Sequence, residues 1–397
     1  MKRIQLITLK RVIEEMIMFP FVLLGKIIAR INPLKEEYDL FMFFSHYSIG
    51  GADKVNAEIV AAIPDRKIII FFTRHSIDTK FLHMFKQPNV TVVEIQKWTD
   101  NKWIYPANFI YRGICAHYIN SQKKSPVVFS TQCNFAYKLM PHLDRNIRNV
   151  ESHHNALRHF AGITWPFVKF MDARVTFTDV IINQHKEYYR QIGLPEEYGN
   201  RFNKIVNCVH VPSYKEKQRG ARLRIYYAGR GGYHKRLELL FAIFRQCMAE
   251  QLPLEYHLAG TFEDEIPADL KNKMVWHGGI GNEEDMYRLH YDMDILLMSS
   301  RFEGFPMVIS EAMSCGVAIV APAIYGIPEH IKNGANGYLM QEGPEEHMIK
   351  EAVDSIKKLI GDPVLLDTIG KNNHAYAETN FSRKVFAAKY RKVLGVE

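Results

Sequence analysis

Two successive series of short apolar runs, each run separated from the next by a stretch of helical periodicity, constrain this chain more than any other feature. Residues 39–45 (DLFMFFS), 67–73 (KIIIFFT) and 90–95 (VTVVEI) open the first series as buried strands, and 126–131 (PVVFST), 149–154 (NVESHH) and 174–179 (RVTFTD) continue it. The second runs through 222–229 (RLRIYYAG), 254–260 (LEYHLAG), 274–279 (MVWHGG), 294–300 (DILLMSS) and 317–322 (VAIVAP). Short β-rich runs with helices between them imply parallel strands joined by crossover helices. Each series therefore predicts a Rossmann-like, doubly wound α/β domain. Between them Asn207–Gly220 is polar and without apolar period, as a linker is. A chain of 397 residues exceeds what one core usually supports, which agrees with two domains.

The apolar fraction of 47% and charged fraction of 24% exclude wholesale disorder. A net charge of +8 suits an anionic partner such as a phosphorylated small molecule or an anionic membrane, and no nucleic-acid partner is expected. The five cysteines are scattered, with no C-x-x-C pair, so neither a disulfide frame nor a zinc site is expected.

The N-terminal residues 1–37 stand apart. Met16 to Gly25 carries no charge, but the run is about half of the roughly 20 residues that span a bilayer. Lys26 and Arg30 stand where a signal peptide would need small residues. Two readings stay open: a membrane-interfacial segment, with Lys2, Arg3, Lys10, Arg11, Lys26 and Arg30 at the headgroups, or a helix buried on the first domain. Residues 97–112 (KWTDNKWIYPANFIYR) pose the same choice, since an aromatic and basic mix suits a membrane interface or sugar stacking as well as ordinary helix packing.

In open α/β sheets ligands bind outside the carboxyl ends of the strands. After the first strand Gly50 and Gly51 permit a tight turn into a helix whose first amides would favour phosphate. After the first strand of the second series, AGRGGYHKRLELL sets Arg230 and Lys235 around two glycines, cations able to clamp a diphosphate. The same loop fails as a dinucleotide fingerprint, because His234 stands where the third glycine belongs. In SRFEGFPMVISEAMSCG, Glu303 lies on a strand-exit loop, and a helix starting near Met307 carries Glu311 in its second turn. Carboxylates accept charge-assisted hydrogen bonds from a sugar diol. Asp292 and Asp294 are read as structural.

The block EGFPMVISEAMSCGVAIVAPAIYGIPEHIKNGANGYLM resembles the nucleotide-sugar signature of the retaining family-4 glycosyltransferases, whose hallmark is Glu, seven residues, then Glu, here Glu303 and Glu311. SIGGADKV, AGR with the downstream Lys235, and NFSRKVFAAKYRKVL extend the resemblance over nearly the whole chain after residue 38. The resemblance implies a GT-B fold of two Rossmann-like domains facing across a cleft. An acceptor domain at 38–212 would be completed by 381–397 crossing back to it, and the donor domain would span 222–380.

It further implies that Glu311 holds the donor ribose and Glu303 the transferred sugar, with Phe305 and Met307 adding backbone contacts. Arg230 and Lys235 would neutralise the diphosphate, and Gly50 and Gly51 would close over the phosphates. His154 would lie near the reacting sugar, although His153 beside it leaves that assignment open by one residue. Arg236 stands where family members often have glycine.

The implied activity is retaining transfer of a sugar from a UDP- or GDP-linked donor to a glycan or lipid-linked glycan, in capsule or lipopolysaccharide-type synthesis at the inner face of the cell membrane. No metal or other cofactor is expected. The alternatives are a noncatalytic nucleotide-sugar-binding scaffold at the membrane, or an NAD-dependent oxidoreductase, which would need the missing glycine.

Overall fold

The computed structural model describes residues 2–47, 51–76, 82–153 and 163–397. The chain divides into two compact units, Met1–Ile205 together with Ala387–Glu397, and Val206–Phe386. Residues 207–220, read as a linker, fall within the second unit. There the Lys217 ammonium donates to the carbonyls of His290 and Tyr291 at 2.9 and 3.0 Å.

The first unit is built on a wholly parallel sheet of seven strands in the order β3-β2-β1-β4-β5-β6-β7. These are β1 (Leu40–Phe44), β2 (Ile68–Phe72), β3 (Val90–Glu94), β4 (Val127–Thr131), β5 (Arg148–Ser152), β6 (Ala173–Thr176) and β7 (Phe202–Lys204). Every residue of β1, β2 and β4 is buried, as strands covered on both faces must be. On one face Phe43 stacks on Phe71 with ring centroids 5.2 Å apart and meets Phe135 at 5.9 Å. The expectation of a buried strand over 90–95 is corrected in part: no residue of β3 is buried, because it forms the sheet edge.

Between β5 and β6 lies a buried charge network. The Glu151 carboxylate accepts from Arg174 Nε at 2.6 Å and from the Tyr137 hydroxyl, while Arg174 also donates to Tyr189. Burial, and then the neighbouring carboxylate, pushes the Tyr137 phenol well up, so it remains a donor.

Helix α1 (Lys2–Ile31) is laid on the first unit in an unusual way. It precedes α2 (Gly51–Ala61) and packs on α3 (Tyr105–Asn120), where Gly25 and Gly113 let the two backbones touch. A Cβ at Gly113 would stand 2.0 Å from the Val22 carbonyl oxygen, and one at Gly25 1.9 Å from that of Ile110. Gly113→Ala is therefore expected to cost about 3 kcal/mol, the upper end of ordinary overpacking, read as a lower denaturation midpoint. Some polar residues of α1 turn toward the body. Glu14 accepts from Arg11 and from Lys138 at 2.7 Å, and Glu15 lies 3.3 Å from His142. Many of its apolar residues turn outward: Leu6, Leu9, Met16, Ile17, Phe19 and Ile31 are each more than half exposed, while Val22 and Ala29 are buried. None of the described helices is long and apolar enough to cross a membrane.

The second unit holds a parallel six-stranded sheet ordered β10-β9-β8-β11-β12-β13. The strands are β8 (Leu223–Arg230), β9 (Leu254–Thr261), β10 (Met274–Trp276), β11 (Ile295–Leu297), β12 (Ala318–Pro322) and β13 (Gly337–Met340). The helices that matter below are α4 (Leu237–Ala249), α5 (Glu283–Asp292) and α6 (Met307–Ser314). Asp294 accepts from Arg219 Nε at 3.1 Å and from the Arg224 amide at 2.8 Å.

The last helix, α7 (Arg383–Leu394), begins in the second unit and ends in the first. In the first unit Arg391 grips Asp65, with Nη2 to Oδ2 at 3.0 Å, and Arg148 donates to the Val393 carbonyl at 2.9 Å.

Candidate functional site

In each sheet the strand order reverses beside the first strand: between β1 and β4 in the first unit, and between β8 and β11 in the second. The crevice outside the carboxyl ends of such a pair is where an open α/β sheet accepts ligands. Arg230 ends β8, the exit loops of β8 and β11 contain Lys235, Glu303 and Phe305, and Met307 and Glu311 follow on α6. All of these lie in the second unit.

The β8 loop is held in a fixed shape. Gly232 adopts φ 99°, and a side chain at Gly231 would place its Cβ 1.9 Å from Glu265. Arg236, at φ 51° and ψ 53°, is left-handed at the start of α4, the backbone state that glycine adopts without strain. Its guanidinium is anchored to Glu345 at 3.2 Å. The two loops are then tied together, for Ser299 Oγ donates to the Lys235 carbonyl at 2.8 Å and the Arg301 amide to that of His234 at 2.9 Å.

The Lys235 ammonium contacts Glu303 Oε1 directly, and Ser300 Oγ donates to the same oxygen at 3.0 Å. Two residues that resemblance gave separate roles thus form one pair, with both side chains about four-fifths buried. Lys235, Arg236 and Arg301 each hold a carboxylate, whereas Arg230, exposed at the end of β8, holds none among the described residues. It remains the uncompensated cation of this loop.

Pro306 is extended at φ −66° and ψ 131° and serves as the N-cap of α6 rather than as its first helical residue, so no side chain caps the helix. Amides at such a start favour an anion. The ring of Phe305 packs 4.2 Å from that of His330 and 5.4 Å from that of Phe381, which leaves only its backbone for a ligand. Met307 opens α6 half-buried.

Glu311 sits in the second turn of α6, 3.8 Å from His290 Nε2 of α5. His290 Nδ1 in turn lies 2.5 Å from the hydroxyl of Tyr226, at the centre of β8. Tyr226 and His290 are fully buried, so the carboxylate rests on a polar stack that reaches into the sheet.

In the first unit Gly51 opens α2, while Gly50 and His154 lie outside the described residues. His153 is fully buried, with Nδ1 3.3 Å from Gln132 Nε2 and its ring 4.8 Å from that of His185. It is a core residue. The reversal between β1 and β4 carries a polar pocket of about 470 Å³, lined among others by Asp53, Asn56, Arg74, Asp100, Asn108 and Gln132. Sequence reasoning missed these residues; the only signal was polar side chains at each strand exit. It also missed Ser299, Ser300 and His290. Among the described residues no three or more His, Cys, Asp or Glu cluster to hold a metal.

Residues 213–375 match the family model of glycosyl transferases group 1, which covers most of the second unit. The chain is 27% identical over 114 residues to N-acetyl-alpha-D-glucosaminyl L-malate synthase of Bacillus anthracis, covering 29% of each chain. It is 24% identical over 166 residues to the capsular polysaccharide biosynthesis glycosyltransferase CapM of Staphylococcus aureus, covering 41% of this chain and 43% of that one. These matches span less than two thirds of the relatives' own lengths. In structure the chain is similar to HepE of Anabaena, solved in complex with UDP, with a TM-score of 0.69 at 18% identity over 90% of this chain and 100% of that one. That likeness is one of fold, two parallel-sheet, Rossmann-like domains.

Proposed function

We propose that this chain is a retaining glycosyltransferase that moves a sugar from a UDP- or GDP-linked donor to a glycan or lipid-linked glycan at the inner face of a membrane, in cell-surface polysaccharide synthesis. The observation that carries this reading is the Lys235–Glu303 pair, which joins the β8 and β11 exit loops where the strand order reverses. The family match over 213–375 supports it.

In this reading Arg230, Lys235 and the first amides of α6 take the charge of the diphosphate as it leaves. Glu311, steadied by His290, accepts from the donor ribose diol, and Glu303 accepts from the transferred sugar. The acceptor oxygen bonds to the anomeric carbon on the face from which the phosphate oxygen departs, and its proton passes to that oxygen. The protein's share is positioning and electrostatic stabilisation, for which these residues need no metal. The resemblance gives His154, Gly50 and Gly51 further roles in the same transfer.

The polar pocket of the first unit suits acceptor hydroxyls, because Asp53, Asp100 and Asn108 offer oxygens that accept from them. The outward apolar face of α1, flanked by Lys10 and Lys26, beds in the interfacial layer of an anionic bilayer.

A thermal-shift screen of the wild type and Glu311→Ala against UDP, GDP, ADP and NAD tests the donor site. One sugar-type diphosphate is expected to stabilise the wild type, by about 2.7 kcal/mol at a hundredfold excess over Kd, and the variant less. Stabilisation by NAD alone would overturn the reading, and silence across the panel would count against the donor site.

A further inference from the structure

We propose that a groove beside α1 takes up one hydrocarbon chain of a bilayer phospholipid, so that the protein holds a lipid as well as lying on a membrane. This deepens the membrane reading of α1 above and rests on it.

The groove has a volume of about 500 Å³, within the range of ligand-sized sites. Val12 and Met16 of α1 form one wall, and Trp165, Phe167, Phe170 and Leu194 supply much of the rest. Val12 and Met16 also belong to the outward face, being 49% and 63% exposed. Groove and face are therefore one continuous apolar surface. A helix bedded on this face brings the groove to the level of the acyl chains, since such helices sink about 5–10 Å into the headgroup boundary.

Charge selects the occupant. Lys169 lines the groove with its ammonium 4.9 Å from the ring of Phe170, is exposed, and holds no carboxylate among the described residues. Arg11 lies at the opposite wall, 5.5 Å over the ring of Phe167, with its guanidinium paired to Glu14. Lys169 thus offers a phosphate a cation beside the place where its chain enters. Among the described residues helix α1 itself carries Lys10, Arg11, Lys26 and Arg30 against Glu14 and Glu15. A second copy of the chain docked face to face would set these cations against each other, whereas an anionic bilayer neutralises them.

The test uses the full chain and vesicles of three parts phosphatidylcholine to one part phosphatidylglycerol, with acyl chains either plain or brominated. Trp165 is 7% exposed, so bromine on a chain quenches it only by entering the groove; Trp103, 96% exposed, reports contact with the interface alone. A variant with Trp98, Trp103 and Trp276 changed to Phe isolates Trp165. Comparing the wild type with Trp165→Phe gives the same reading if the triple variant folds poorly.

The chain is expected to sediment with the vesicles and to lose most of its Trp165 emission only when the acyl chains are brominated. Leu23→Glu with Leu24→Glu, both outside the groove, is expected to abolish sedimentation and quenching together. Sedimentation with Trp165 unquenched overturns the groove while membrane docking stands. A wild type that ignores these vesicles, whether monomeric or dimerised through α1, overturns both.

Discussion

Lys235→Ala is expected to lower kcat/KM for sugar transfer by about 10²- to 10³-fold, equivalent to about 3–4 kcal/mol of transition-state stabilisation. The size follows from the task. When the bond to the anomeric carbon breaks, negative charge grows on the leaving diphosphate, and a cation fixed beforehand meets it without reorganising. Lys235 is fixed in that way: its carbonyl is held by Ser299, its ammonium by Glu303, and the next residue is locked left-handed. The loss is expected mainly in kcat, because the charge develops only as the bond breaks. Removing the lysine also leaves Glu303 as a bare carboxylate beside the anion. Lys235→Ala with Glu303→Gln should accordingly lose less than the sum of the two single changes, which a double-mutant cycle on kcat/KM would read. Additive losses would mean that the pair does not work as one.

Arg174→Met is expected to cost about 3–5 kcal/mol of stability, the penalty for stranding a buried carboxylate. Glu151 and Arg174 have side chains that are 0% and 1% exposed, so water cannot replace the lost partner. Changing Glu151 to Gln in the same chain should restore much of the loss, since the remaining amide bears no charge. Denaturant midpoints of the two single variants and the double variant measure this directly. The effect reaches the end of β5, which leads into the buried His153.

The fold was legible because a parallel strand buried on both faces is written as an uninterrupted apolar run, as in LFMFF and IIIFF. What escaped notice lacked that signature. Strand β7 reads Phe-Asn-Lys and is only half-buried, and β13 hides its three apolar residues behind a glycine. Strand β3 was found, but its place at the sheet edge depends on strand order, which a run of residues does not encode. Of the donor-side site, residue types were legible and pairings were not. Lys235 and Glu303 are far apart in the chain, and a resemblance that gives each a ligand does not say that they meet. His290 escaped for the same reason, since it supports Glu311 from another helix. The polar pocket of the first unit draws on several separate strand exits, none of which is distinctive alone.

The interrupted course of the first unit bears on how the protein is made. During synthesis residues up to Ile205 emerge first, but Ala387–Glu397, which complete that unit, follow only after all of Val206–Phe386. The nascent first unit must wait without Arg391 against Asp65 and without the Val393 carbonyl on Arg148, while the second unit is threaded out and folds whole. A stop codon near Ala387 would thus spare the neighbour it follows in the chain and injure the half made long before. In a ribosome-bound chain, protease resistance of the second unit should precede full resistance of the first.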